Sequence, residues 1–159
     1  MRKAIAGALA IAMLASPAFA AKRGDVRVSG QGTIEDGRTF TVSAVLYQDG
    51  TAKGHAVLVN RNFSGDNGKG PYKAIIDISC VKQLDDNTVV IGGFTTHTND
   101  SNLVDAVFFS VRDDGKDDLL SRAYFWDGDP ETVGDPSTCQ LVNTTFPMEE
   151  VIRGNINVH

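Results

Sequence analysis

Thr39-Phe40-Thr41-Val42-Ser43-Ala44-Val45-Leu46 decides the fold. Phe40, Val42, Ala44 and Leu46 fall on one side of an extended chain, and Thr39, Thr41 and Ser43 on the other. Apolar character repeating every second residue marks a half-buried β-strand. Similar stretches surround it. His55, Val57 and Val59 alternate with Gly54, Ala56 and Leu58. Tyr72 to Leu84 is longer and predicts Tyr72, Ala74, Ile76, Ile78 and Cys80 on one face. Thr88 to Thr98, Val104 to Arg112 and Leu119 to Trp126 come next, and Val151 to Val158 alternates again. No segment beyond the first twenty residues carries an apolar stripe of helical period, and Phe146 to Val151 has room for one helical turn at most.

Turn signals separate these stretches. Asp36-Gly37, Asp49-Gly50, Asn67-Gly68, Asp114-Gly115 and Asp127-Gly128 suit the positive-φ positions of tight hairpins. Asp85-Asp86-Asn87 and Asn99-Asp100-Ser101-Asn102 fill the wider gaps. Short turns between successive strands make antiparallel pairs, so the pattern predicts an all-β meander of eight or nine strands. Their apolar faces are hidden either by closure into an up-and-down barrel or by folding into a two-layer β-sandwich. The succession of hairpins favours the barrel, which also removes exposed edges.

Residues 1–20 read as a secretory signal peptide. Arg2 and Lys3 are basic, Ala4 to Leu14 is apolar, Ser16-Pro17 breaks the helix, and Ala18-Phe19-Ala20 offers small residues for cleavage. The apolar core is about half the roughly 20 residues a membrane span needs. Residues 21–159 then form a single β domain, with no internal repeat and no linker. Loss of Arg2 and Lys3 takes the formal charge from −5 to −7. An acidic chain lacks the basic surface that nucleic acid requires. No later stretch is long and apolar enough to span a bilayer, so the expected location is periplasmic or extracellular.

The cysteines are two, Cys80 and Cys139. In an oxidising compartment such a pair is expected to bridge, and there is no C-x-x-C to act as a redox dithiol. Asp127 to Thr138, with two prolines and two glycines, reads as an irregular loop that the bridge would tie to the Cys80 strand.

Several stretches carry a resemblance. Gly30-Gln31-Gly32-Thr33, the Cys80 strand with Asn87-Thr88-Val89-Val90-Ile91-Gly92-Gly93, the turn Val111-Arg112-Asp113-Asp114-Gly115, Cys139, and Ile152-Arg153-Gly154-Asn155-Ile156 together resemble a loose group of small exported bacterial β-proteins of unknown function. The resemblance covers most of residues 21–159. Turns and core positions carry it, so it implies a fold and no active site.

Candidate chemistry is sparse. Asp113-Asp114-Gly115-Lys116-Asp117-Asp118 holds four carboxylates that could serve calcium as oxygen ligands, but the spacing is not that of an EF-hand and Lys116 sits among them. A solvated hairpin turn is the simpler reading, as it is for Asp127, Asp129 and Asp135. His55, His97 and His159 are too far apart in sequence to form a metal motif, and His159, the last residue, is expected to be mobile. No G-x-S-x-G occurs, and Gly65 to Gly70 lacks Walker spacing. Among the late aromatics, Phe108, Phe109, Tyr124, Phe125 and Trp126, the neighbours Phe125 and Trp126 must face opposite ways.

The pattern assigns no catalytic residue, no metal ligand and no cofactor. It points first to a non-enzymatic binding or interaction module whose partner is an unknown small molecule or protein. One alternative is an enzyme with a polar site inside the barrel, for which His55, His97, Asp77, Asp105, Arg112 and Arg122 are the residues to inspect. The other is a calcium-stabilised structural domain.

Overall fold

The computed structural model describes residues 24–66, 68–103, 106–125, 137–139 and 142–159. Residues 1–20, read as a signal peptide, Asp105, Trp126 and residues 127–136 of the expected irregular loop, with Asp129 and Asp135, lie outside them.

Among the described residues, ten strands form one antiparallel sheet: β1 (Val26–Thr33), β2 (Arg38–Leu46), β3 (Ala52–Ser64), β4 (Pro71–Gln83), β5 (Thr88–Thr98), β6 (Ala106–Arg112), β7 (Leu119–Ser121), β8 (Tyr124–Phe125), β9 (Met148–Glu150) and β10 (Arg153–Val158). The order is β10-β1-β2-β3-β4-β5-β6-β7-β9, and β8 pairs with β6 beside β7. This is the expected meander. The predicted strand from Leu119 to Trp126 is broken at Arg122-Ala123 into β7 and β8. At the break, the Ser110 N–H donates to Ser121 Oγ at 2.8 Å. The Asp-Gly turns behave as predicted: Gly37, Gly50 and Gly115 all have positive φ.

The sheet curls into an incompletely closed barrel. Its ends do not pair with each other, yet Val151 and Ile152 join β9, beside β7, to β10, beside β1. The last stretch of chain therefore carries one end of the sheet to the other. Inside, alternation works as read. Phe40, Val42 and Ala44 are buried, while Thr41 and Ser43 are exposed. Walls four strands apart touch, with the rings of Phe40 on β2 and Phe109 on β6 stacked at 4.6 Å. On β1, a Cβ at Gly32 would press on Ile156, Val151 and Leu120. The interior is thus filled by side chains from its own walls.

One predicted face is corrected. Cys80 does not share the inner face of Ile76 and Ile78. The register of β4 and β5 shifts between Ile78 and Cys80, leaving Ser79 as an extra residue. Such a bulge reverses the facing of the residues beyond it. Val81 turns into the main core, and Cys80 joins a second apolar cluster with Val90, Phe108, Cys139 and Val142. That cluster lies on the outside of β4–β6. The residues from Cys139 to Phe146 that are described cover it. Cys80 and Cys139 form the expected disulfide, with Cα atoms 5.7 Å apart. Phe146 stacks on Tyr124 at 4.6 Å and on Phe108 at 5.9 Å, and its N–H donates to Ser110 Oγ at 2.9 Å. Phe125 packs against the main core instead.

Candidate functional site

The acidic turn between β6 and β7 is a structural joint. β10 pairs with β1 through alternate residues, which leaves the N–H groups of Ile156 and Val158 aimed away from β1. No strand among the described residues pairs with them. Asp118 Oδ2 accepts from Ile156 N–H at 2.8 Å, and Asp113 Oδ2 accepts from Val158 N–H at 3.0 Å. The second oxygens accept from Asp114 N–H and Gly115 N–H, both at 3.1 Å. Asn87 Nδ2 holds Asp114 Oδ1 at 2.7 Å and the Asp113 carbonyl at 2.9 Å. Asp118 is only 3% exposed. Carboxylates so occupied close the seam of the barrel and have little left for a cation. Asp114 to Asp117 are exposed, as a solvated turn predicts, and Asp118 is the member drawn into the joint. Among the described residues, no three His, Cys, Asp or Glu side chains gather as a metal site.

The residues proposed for an internal polar site, Asp105 apart, which lies outside the described residues, are not inside. His55 and Asp77 are cross-strand neighbours on the outer face of β3 and β4, and both are exposed. Ser43 stands next to His55 on β2, so a serine, a histidine and a carboxylate fall in one outward row. No hydrogen bond joins them, and no wall shields them from water. His97 is exposed on β5, with Nδ1 3.3 Å from Thr96 Oγ1. Arg112 Nε donates to Thr88 Oγ1 at 3.0 Å, and Arg122 pairs with Glu149 at 2.6 Å. His159, expected to be mobile, exchanges two backbone hydrogen bonds with Arg27, at 2.8 and 2.9 Å.

The arrangement best suited to hold a ligand went unread in the sequence. The outward side chains of four adjacent strands form a groove of about 410 Å³. Register explains it: Arg153 lies opposite Thr33, Thr33 opposite Thr39, and Thr39 opposite Val59. Gln31 and Thr41 form the next row. Thr33 Oγ1 and Thr39 Oγ1 are 2.9 Å apart, and Thr41 Oγ1 donates to Gln31 Oε1 at 3.4 Å. Arg61 and Asn62 on β3, with Gly37, complete the lining. Asn62 Nδ2 donates to the Asp36 carbonyl at 2.6 Å, stapling the β1–β2 turn to β3. Gly37 is required there, because its φ is +82° and a Cβ would collide with the Asn62 amide.

The electrostatics of the groove differ from those of the chain. Among the described residues, no carboxylate lines it. The nearby Asp36 is already engaged, with Oδ2 on Arg38 at 3.1 Å and Oδ1 accepting from Arg38 N–H at 2.9 Å. Arg61 and Arg153 form no ion pair among the described residues. Two uncompensated guanidinium groups therefore flank a neutral floor of hydroxyls and amides. A smaller concavity of about 310 Å³ holds His97 with Pro71, Lys73, Ile75 and Asn99. The Asn99 side chain there is spent on backbone, accepting from Lys73 N–H at 2.8 Å and donating to the Pro71 carbonyl at 2.9 Å.

No helix among the described residues is long and apolar enough to cross a membrane. Comparison with protein-family models, with curated proteins and with solved structures gave no match.

Proposed function

We propose that this chain is an exported, non-enzymatic binding module of the periplasm or extracellular space, and that it meets its small-molecule or protein partner with the outside of the barrel. The observation that carries the reading is the filled interior. Phe40 and Phe109 stack across it, and Leu120, Val151 and Ile156 crowd Gly32. Small barrels that carry a ligand inside need an empty lumen. Export is supported by the signal-like residues 1–20 and by the Cys80–Cys139 bridge, which suits an oxidising compartment. The resemblance to small exported bacterial β-proteins points the same way.

Absence of catalysis is inferred from the scatter of polar groups. General acid–base or nucleophilic work needs side chains within hydrogen-bond reach of one another. His97, Arg112 and Arg122 stand apart on the outer surface, and His55 and Asp77, though neighbours across β3 and β4, share no hydrogen bond. Fractionation of cells that make the full chain tests the proposal. Protein shortened by the first twenty residues, outside the cytoplasm and with both thiols blocked, is expected. Full-length protein in the cytoplasm with titratable thiols would refute export. Turnover of any substrate that a single outer-face substitution abolishes would refute the non-enzymatic part.

A further inference from the structure

We infer that the groove on β10, β1, β2 and β3 binds an acidic oligosaccharide, a sugar chain that carries carboxylates on more than one unit. This rests on the reading of the chain as an outer-face binding module and names the ligand class. Arg61 on β3 and Arg153 on β10 bound the groove, and neither has an ion pair among the described residues. Three inter-strand spacings separate β10 from β3, so the two backbones stand roughly 14 Å apart. Two cations carried on separate strands, at either side of a neutral floor, suit a ligand whose charges are spread along its length.

The floor selects among extended anions. Thr33, Thr39, Thr41 and Gln31 present hydroxyl and amide groups paired only with each other, at 2.9 and 3.4 Å, so each keeps donor or acceptor capacity. Such groups match sugar hydroxyls. The backbone beneath is consumed by the ladders β10–β1, β1–β2 and β2–β3. A peptide docking by strand addition needs a free edge, and this is a sheet face. Single-stranded nucleic acid needs aromatic platforms, and among the described residues the groove has no aromatic lining.

The test is titration calorimetry on the disulfide-bonded protein with three probes: tetragalacturonate, its uncharged methyl ester, and sodium sulfate. Saturable binding of the acid, and not of the ester or sulfate, is expected. Arg61→Ala and Arg153→Ala should each weaken it about tenfold or more, the scale of one charge-assisted hydrogen bond. The double variant should abolish it, with an unchanged melting curve, because both side chains are solvent-exposed. No binding of the acid, equal binding of the ester, equal binding of sulfate, or affinity surviving in the double variant would each overturn the inference. None of these touches the outer-face reading, which stands on the filled interior. Shortening of tetragalacturonate that is lost in the double variant would keep the groove and refute the non-enzymatic reading.

Discussion

Replacing Asp118 with Ala should open the seam of the barrel. The carboxylate accepts from Ile156 N–H at 2.8 Å and from Asp114 N–H at 3.1 Å. Ile156 is fully buried, so water cannot easily take over as acceptor. An unsatisfied buried donor costs about 1–3 kcal/mol. The Asp114 N–H sits in an exposed turn and recovers most of its loss from water. The sum is about 1–3 kcal/mol, a large share of the roughly 5–15 kcal/mol that stabilises an ordinary domain. Urea unfolding should show a lower midpoint with an unchanged slope. Amide exchange should locate the damage, with Ile156 losing protection before the β2 and β3 amides. Asp118→Asn, which keeps one acceptor oxygen, should fall between Ala and wild type. Asp117→Ala, in the same turn and exposed, should change little. A midpoint for Asp118→Ala equivalent to within 0.5 kcal/mol of wild type, about the spread of neutral surface changes, with Ile156 still protected, would refute the seam.

Gly92→Val should hinder the disulfide, because a Cβ at that position would lie 2.6 Å from Cys80 Sγ and 2.8 Å from the Phe108 ring; thiol titration of the folded variant is expected to find free cysteine, and a fully oxidised variant of normal stability would contradict this. Replacing Cys80 and Cys139 together with Ala removes a bridge across 59 residues, worth up to about 4 kcal/mol by the loss of chain entropy, and should raise binding of an apolar dye as the cover over Val90 and Phe108 loosens. The Thr51 hydroxyl and N–H hold the Asp49 carboxyl below its usual range, and the Ser101 N–H does the same for Asp66. Both groups favour the folded state above the ordinary Asp range, near about pH 4, and lose that contribution as pH falls through their lower folded values. Carboxyl titration by NMR should find both midpoints below that of an unfolded Asp.

Local pattern told the fold well. The alternation from Thr39 to Leu46 and the glycines at 37, 50 and 115 depend on neighbours in sequence, and they behave as read. What escaped was set by distant contacts. The facing of Cys80 turned on one extra residue, Ser79, which local alternation cannot register. A usable signal was present: Val89-Val90-Ile91 and Ala106-Val107-Phe108-Phe109 are apolar without alternation, which means burial on both faces and hence a second layer outside the sheet. The bonding of Asp118 and Asp113 escaped because their partners, Ile156 and Val158, lie 38 and 45 residues away. The groove was invisible for the same reason. Arg61 and Arg153 come together only through the β10–β1–β2–β3 register, and no spacing in the chain announces it.

Native mass spectrometry of the purified protein, followed by its denatured mass, tests most directly whether binding is confined to the outside. A filled interior predicts the same mass in both states, less two hydrogens for the Cys80–Cys139 bridge, with no apolar passenger. An apolar molecule that is retained natively, released on denaturation, and unaffected by Arg61→Ala and Arg153→Ala would contradict it, because such a ligand would have to occupy the space assigned to Phe40 and Phe109.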